Sequence, residues 1–242
     1  MKAVIIIPAR LESTRLPRKL LLAKTGKPLI QHTWEQAIKT GFEVYVVTDS
    51  LMILQQCDAF GAKAFRSGEC NCGTDRVRQV ADYLDDGPDV IINWQADEPE
   101  IDPEIVRQMA EETYIWDKIV TLAFPIDFAA AHDSNMVKAV ITHSGQALYF
   151  SRAPVPWNGP WWGHCGIYSF PPDFFRDPAL KELSRRSQLE ESERLEQLRW
   201  LDEGMSIHVV QTQEHCWGGI DTQQDYDNFV TRQAIRSQKG DQ

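Results

Sequence analysis

The chain opens on an unbroken apolar run, Lys2–Pro8 (KAVIIIP), the pattern of a strand buried on both faces. Apolar positions then recur at Leu29, Ile30, Trp34, Ala37 and Ile38, which predicts a helix over Pro28–Thr40 with Gly41 as its C-cap. The alternation continues with a strand at Phe42–Asp49, a helix at Leu51–Phe60, a short strand at Ala62–Arg66 and a helix at Asp75–Leu84. A strand at Asp89–Gln95, a helix at Pro103–Thr113 with proline at its start, and a strand at Lys118–Ala123 follow. Strands separated by helices predict a parallel, doubly wound sheet, whose ligands bind beyond the carboxyl ends of the strands. The loops after Pro8, Asp49, Arg66 and Gln95 are therefore expected on one rim.

The second half changes character. Val137–Thr142, Ala147–Ser151 and Gly166–Phe170 read as strands tied by short turns, with Ser144-Gly145 marking a hairpin. Leu189–Glu203 reads as one amphipathic helix, Ser206–Val210 as a strand and Gln223–Arg236 as a terminal helix. The expectation is one domain over residues 1–242: an α/β core with a mainly parallel sheet and a smaller antiparallel insertion.

Composition narrows the class. Of 242 residues, 43% are hydrophobic and 25% charged, which disfavours a disordered chain or a low-complexity scaffold. The apolar run near the start is far short of a bilayer span and lacks the layout of a signal peptide. The formal net charge of −10 disfavours general nucleic-acid binding. The five cysteines are Cys57, Cys70, Cys72, Cys165 and Cys216; their odd count and lack of a zinc spacing predict free thiols in a reducing cytoplasm.

Against this acidic background, Arg10–Lys27 carries six basic residues (Arg10, Arg15, Arg18, Lys19, Lys24, Lys27) and one acid, Glu12. A basic loop at the carboxyl end of the first strand is placed to hold phosphates, although charge alone fits a solvated loop equally well. No G-x-G-x-x-G follows the strand, so a dinucleotide fingerprint is absent. Thr25-Gly26-Lys27-Pro28 lacks the first glycine of a P-loop and carries proline where the metal-binding hydroxyl belongs. Phosphates must then be gripped by side chains. Asp97, in Gln95-Ala96-Asp97-Glu98-Pro99 just after a buried strand, is the natural Mg²⁺ ligand, since that ion takes one or two carboxylates plus phosphate oxygens. Its competing reading is a turn carboxylate. Asp221, ahead of the last helix, reads equally as a cap neighbour. Taken together, Arg10, Arg15, Lys19, Asp97 and Asp221 suggest metal-dependent nucleotidyl transfer.

The stretch Pro8–Lys19 (PARLESTRLPRK) closely resembles the opening motif of the CMP-Kdo synthetases, the 3-deoxy-manno-octulosonate cytidylyltransferases. Further matches follow in the family's order at Gly26–Ile30, Gly73–Arg76, Gln95–Pro99, Ala147–Ala153, Gly166–Tyr168, Leu195–Arg199 and Ile220–Thr222, covering nearly the whole chain. The resemblance implies a Rossmann-like nucleotidyltransferase core, usually a cytoplasmic homodimer, joining CTP to the anomeric hydroxyl of Kdo for lipopolysaccharide assembly. It implies triphosphate contacts at Arg10, Arg15 and Lys19, cytidine contacts at Pro8, Ala9, Gly73 and Arg76, and Mg²⁺ ligands at Asp97 and Asp221. It also implies a sugar pocket of Gln95, Arg152, His164, Tyr168, Glu196 and Gln197, with a sugar-binding and dimerisation subregion over roughly 125–215. Without it, His164 reads as a structural histidine, Tyr168 as core, and Glu196 and Gln197 as a solvated helix face. Departures from the family are Ala96 in a usual glycine position, a short 158–163 segment, and Cys165 before Gly166. A related acidic sugar and a non-catalytic nucleotide binder stay open as alternatives.

Overall fold

The computed structural model describes residues 1–70, 72–81, 83–84, 87–176, 187–213 and 218–240. Its centre is β1 (Ala3–Ala9), buried throughout. Alternate residues serve two cores: Ile5 and Ile7 enter the cluster on one face, Val4 and Ile6 the cluster on the other. A strand covered on both faces can be continuously apolar, which is why the opening pattern has no polar alternation.

The strands β2 (Glu43–Thr48), β3 (Lys63–Arg66) and β4 (Val90–Asn93) are all parallel to β1, in the order β3-β2-β1-β4. Connecting helices are α1 (Leu29–Ile38), α2 (Leu51–Ala59), with Ser50 Oγ accepting from Ile53 N, and α3 (Gly73–Ala81). The helix α4 (Pro103–Trp116) starts where Asp102 caps Glu104 N at 2.8 Å and stops at Asp117, which is left-handed. It leads to β5 (Ile119–Ile126), and a short α5 (Phe128–His132) follows, which the sequence pattern does not reveal.

The antiparallel strands are not a separate layer. β6 (Lys138–Ile141) and β7 (Ala147–Ser151) form the expected hairpin, turning at Gly145 with φ +82°. The next strand, β8 (Trp161–Phe170), begins five residues before the expected Gly166 and inserts between β4 and β5, antiparallel to both. Its second half pairs with β4, placing Tyr168 opposite Asn93. Its first half runs past the end of β4, stays paired with β5 as far as Ile126 and carries β6. The parallel β9 (Ile207–Gln211) on β5 completes a nine-stranded sheet. The core is therefore α/β and mainly parallel, as expected, with the late antiparallel strand built into its middle.

The expected single helix at Leu189–Glu203 is instead two: α7 (Gln188–Glu193) and α8 (Gln197–Asp202), which follow the short α6 (Asp173–Arg176). Arg194 adopts φ +56° between them, and a buried Arg199–Glu190 pair, with Nε and Nη2 each 2.7 Å from a carboxylate oxygen, ties them across the break. The terminal α9 (Gln223–Gly240) runs past the expected Arg236. Cys57, Cys70, Cys72 and Cys165 are free thiols, and Cys216 lies outside the described residues.

Candidate functional site

One cavity of about 520 Å³ opens where the parallel strands end. The loops after β1, β3 and β4 form its floor, β8 one wall, and the break between α7 and α8 another. Of the residues expected to act, Pro8, Arg10, Arg15, Lys19, Gly73, Arg76, Gln95, Arg152, His164, Tyr168, Glu196, Gln197, Asp97 and Asp221 all line it. Ala9 does not: as the last residue of β1 it is 1% exposed and belongs to the core. The basic loop divides too. Lys24 pairs with Asp227 at 2.6 Å and Lys27 with Glu35 at 2.8 Å, so those charges serve the neighbouring helices. Arg18, left-handed at φ +54°, is not among the lining residues.

The charged end of the cavity is a four-membered set. Lys19 Nζ donates to Asp221 Oδ1 at 2.8 Å and closely to Asp97, and Arg15 Nη2 donates to Asp221 Oδ2 at 2.7 Å. Burial works against the charge on Lys19, but the two carboxylates outweigh it and raise its pKa. Backbone geometry makes this convergence possible: Ile220 N donates to Asp97 O at 2.9 Å, clamping the two acidic loops together. Asp225 in turn accepts from Asp221 N and Thr222 N, at 3.1 and 2.8 Å.

The donor set suits Mg²⁺. Among the described residues no group of three or more His, Cys, Asp or Glu gathers as a closed protein cage. Two carboxylates do converge on one cationic position, held there by an ammonium. Mg²⁺ characteristically takes one or two carboxylates and completes its shell with substrate phosphates and water.

The cytidine-side expectations find Arg76 only 5% exposed, donating to Asp49 Oδ2 at 3.0 Å and closely to Ser67. The loops after β2 and β3 are thereby joined to α3, so the expected common rim forms. Gly73 sits where a Cβ would lie 3.4 Å from the Pro8 ring, a close approach of two cavity walls. Ala96 has no positive φ, and its carbonyl accepts from buried Thr33 Oγ1 at 2.7 Å, so alanine meets no backbone penalty there.

The other end is walled by β8. The ring of His164 lies between Phe150 and Tyr168, with centroids at 4.9 and 5.4 Å. Burial pushes its pKa down to about 3, so the ring is neutral. The Thr121 hydroxyl donates its one proton to Ile167 O at 2.7 Å and so accepts from His164 Nε2 at 3.0 Å. That network assigns the proton to Nε2 and leaves Nδ1 as an acceptor. The Tyr168 hydroxyl is buried with no partner among the described residues, a donor and acceptor in want of a ligand. Glu196 accepts from Cys72 Sγ at 3.2 Å, and Gln197 is 5% exposed, so neither lies on a solvated helix face. Arg152 donates from Nε to Glu193 O at 3.1 Å and from Nη1 to Ser134 O at 3.0 Å.

Three features were not visible in the sequence pattern. Arg194 lines the cavity because the chain turns left-handed there, and no glycine or asparagine signals that turn. Cys70 and Cys72 line it as well, whereas their spacing could only argue against zinc. Buried Glu98 accepts from Gly166 N at 3.1 Å and Cys165 Sγ at 3.3 Å; burial and then the charge of Asp97 raise its pKa to about 7. It joins the metal-side loop to β8.

A cytidylyltransferase family profile matches residues 4–207. A 3-deoxy-manno-octulosonate cytidylyltransferase from Chlorobium limicola is 39% identical over 256 aligned positions, covering 99% of this chain and all of its own. One from Pseudomonas syringae pv. syringae is 38% identical, covering 91% of this chain and 94% of its own. Among solved structures, a CMP:2-keto-3-deoxy-manno-octonic acid synthetase complexed with CTP superposes with a TM-score of 0.88 at 34% identity, over 99% of this chain and 100% of that one. A nucleotidyl transferase from Methanothermobacter, at 14% identity and a TM-score of 0.63, shares the fold alone.

Proposed function

The chain belongs to the cytidylyltransferases, among the 3-deoxy-manno-octulosonate enzymes, and from that membership we propose that it transfers CMP from CTP to the anomeric hydroxyl of Kdo, releasing pyrophosphate. The observation that carries the proposal is the convergence of Arg15, Lys19, Asp97 and Asp221 in a cavity that β8 walls with His164 and Tyr168 and that Arg152 also lines. The first set matches a triphosphate with its metal, the second an acidic polyol.

In this reading Arg10, Arg15 and Lys19 bind the triphosphate oxygens, and Pro8, Gly73 and Arg76 enclose the cytidine. Asp97 and Asp221 would hold Mg²⁺, which would neutralise phosphate charge and lower the pKa of the attacking hydroxyl. The sugar oxygen forms a bond to the α-phosphorus in line as the bond to pyrophosphate breaks, and the hydroxyl proton passes to water. Negative charge grows on the nonbridging and leaving oxygens, where Arg15 and Lys19 stabilise it; no covalent enzyme intermediate is needed. Arg152 pairs with the sugar carboxylate. His164 Nδ1 accepts from a sugar hydroxyl, and Tyr168, Gln95, Glu196 and Gln197 complete the pocket.

The protein works in the cytoplasm as a homodimer, supplying lipopolysaccharide synthesis. Free thiols support the compartment, and no described helix is long and apolar enough to cross a membrane. An aromatic patch supports self-association: Trp157 is 92% exposed and Phe128 65%, beside Trp161, within the subregion 125–215. The decisive experiment is pyrophosphate release with CTP, Mg²⁺ and Kdo, each omitted in turn, then repeated with 8-amino-Kdo and a sialic acid. Full release without Kdo, or none with all three, rejects the proposal.

A further inference from the structure

Arg152 stands at the end of β7, and its orientation is imposed from outside the cavity. Glu193, the last residue of α7, holds it twice. The Glu193 carboxylate accepts from Ser151 Oγ at 2.7 Å and from Arg152 N at 3.0 Å, seating the end of the helix on the end of the strand. In that seat the Glu193 carbonyl meets Arg152 Nε at 3.1 Å. From the opposite side Lys138, with no exposed surface, donates from Nζ to Arg152 O at 2.5 Å and also to Met136 O and Asp133 O. The arginine backbone is thus gripped by a carboxylate on its N–H and an ammonium on its carbonyl.

The consequence is a choice of recognition face. A guanidinium offers a carboxylate either its side-on fork, Nε with Nη2, or its end-on fork, Nη1 with Nη2. Here Nε is committed to Glu193 O and Nη1 to Ser134 O, so each fork already holds one protein carbonyl and Nη2 is the guanidinium nitrogen without a partner among the described residues. We propose that Glu193 is a positioning residue for sugar recognition, aiming the unpartnered Nη2 edge of Arg152 at the carboxylate of the acidic sugar. This rests on the reading of Arg152 as the sugar-carboxylate partner. Without the seat, the long arginine side chain would have to be ordered by the substrate, and part of the binding free energy would go into that ordering. Glu193 is a cleaner probe than Lys138. The loop that Lys138 holds also meets the phosphate side, where Asn135 Oδ1 accepts from Arg15 Nη1 at 3.4 Å.

The test is a double-mutant cycle on the full chain with CTP, Mg²⁺ and Kdo, reading the KM of each substrate separately. Glu193→Ala is expected to raise the KM for Kdo about tenfold, the scale of losing an outer hydrogen-bond partner, with the KM for CTP within about twofold. In an Arg152→Ala background the same change is expected to add less than about twofold, because there is no guanidinium left to aim. Glu193→Gln, which keeps one acceptor oxygen, gives the same pattern at smaller amplitude and serves if the alanine variant does not fold. The inference is overturned if Glu193→Ala leaves the KM for Kdo unchanged, raises both KM values alike, or multiplies with Arg152→Ala. If Arg152→Ala alone leaves the KM for Kdo unchanged, the assignment of Arg152 itself falls and the inference falls with it.

Discussion

Lys19 and Asp221 lie 202 positions apart in the chain, yet the lysine Nζ donates to the aspartate Oδ1 at 2.8 Å. The contact joins the loop after the first strand to the turn before the last helix. It places one ammonium against both the Asp221 and the Asp97 carboxylates.

Asp97→Asn keeps the size of the side chain and removes the charge that the proposed metal site requires. Turnover is expected to fall by about 10²-fold or more with the fold retained. Pyrophosphate release and circular dichroism, measured on the same preparation, check it; near-normal turnover in folded protein removes Asp97 as a metal ligand.

Arg15→Ala deletes a charged donor at the phosphate end. The KM for CTP is expected to rise about 10–100-fold, the scale of a lost charge-assisted hydrogen bond, and kcat to fall. The KM for Kdo should move little. Steady-state kinetics with each substrate varied in turn decides, and a change confined to the sugar would reverse the assignment of the two ends.

Arg152→Ala should do the opposite. Leaving the sugar carboxylate without its guanidinium costs about 2–5 kcal/mol of sugar recognition, while Arg10, Arg15 and Lys19 still hold the triphosphate. Calorimetric titration of CTP into the variant should match wild type, and equal weakening of both ligands would make Arg152 a phosphate contact.

His164 makes acid stability a probe of the sugar wall. Its pKa of about 3 in the folded chain lies below the ordinary 6.5. Between these values the unfolded chain binds a proton that the folded chain does not, so its contribution is complete above pH 6.5 and is lost as pH falls. The slope is at most about 1.4 kcal/mol per pH unit. Urea unfolding at pH 7 and pH 4.5 should show a smaller loss for His164→Asn than for wild type; equal losses would mean that the ring is not held neutral.

The Arg199–Glu190 pair tests the broken helix. Its side chains are 7% and 11% exposed. Arg199→Met leaves a carboxylate buried without its partner and should cost about 3–5 kcal/mol, much of it recovered when Glu190→Leu is added. Denaturant unfolding of the single and double variants checks both halves of this expectation.

Local physics made much of the protein legible in advance. The strand at β1, the helices capped by Ser50 and Asp102, and the Gly145 hairpin each follow from signals within a few residues, where burial period and capping chemistry act. The rim site was legible because parallel strands deliver their following loops to one edge, and Asp97 and the Arg10–Lys19 segment fall in such loops. Family motifs extended that reading to Arg152, His164 and Glu196, which line the same cavity and which no periodicity singles out.

Other features depended on contacts that no window of sequence contains. Whether Lys19 faces the cavity while Lys24 and Lys27 face helices depends on which acids lie opposite, Asp97 and Asp221 in one case, Asp227 and Glu35 in the others. Ala9 belongs to the core because β1 continues one residue past Pro8. Arg194 turns left-handed without glycine, and the Arg199–Glu190 pair then secures the break across nine residues. Strand β8 enters the middle of the sheet because the slot between β4 and β5 offers unpaired backbone groups on both sides. Local order came from the sequence because hydrogen bonding and burial period act between near neighbours. The site came from tertiary structure because charge pairing and strand pairing act between residues that only the folded chain brings within reach.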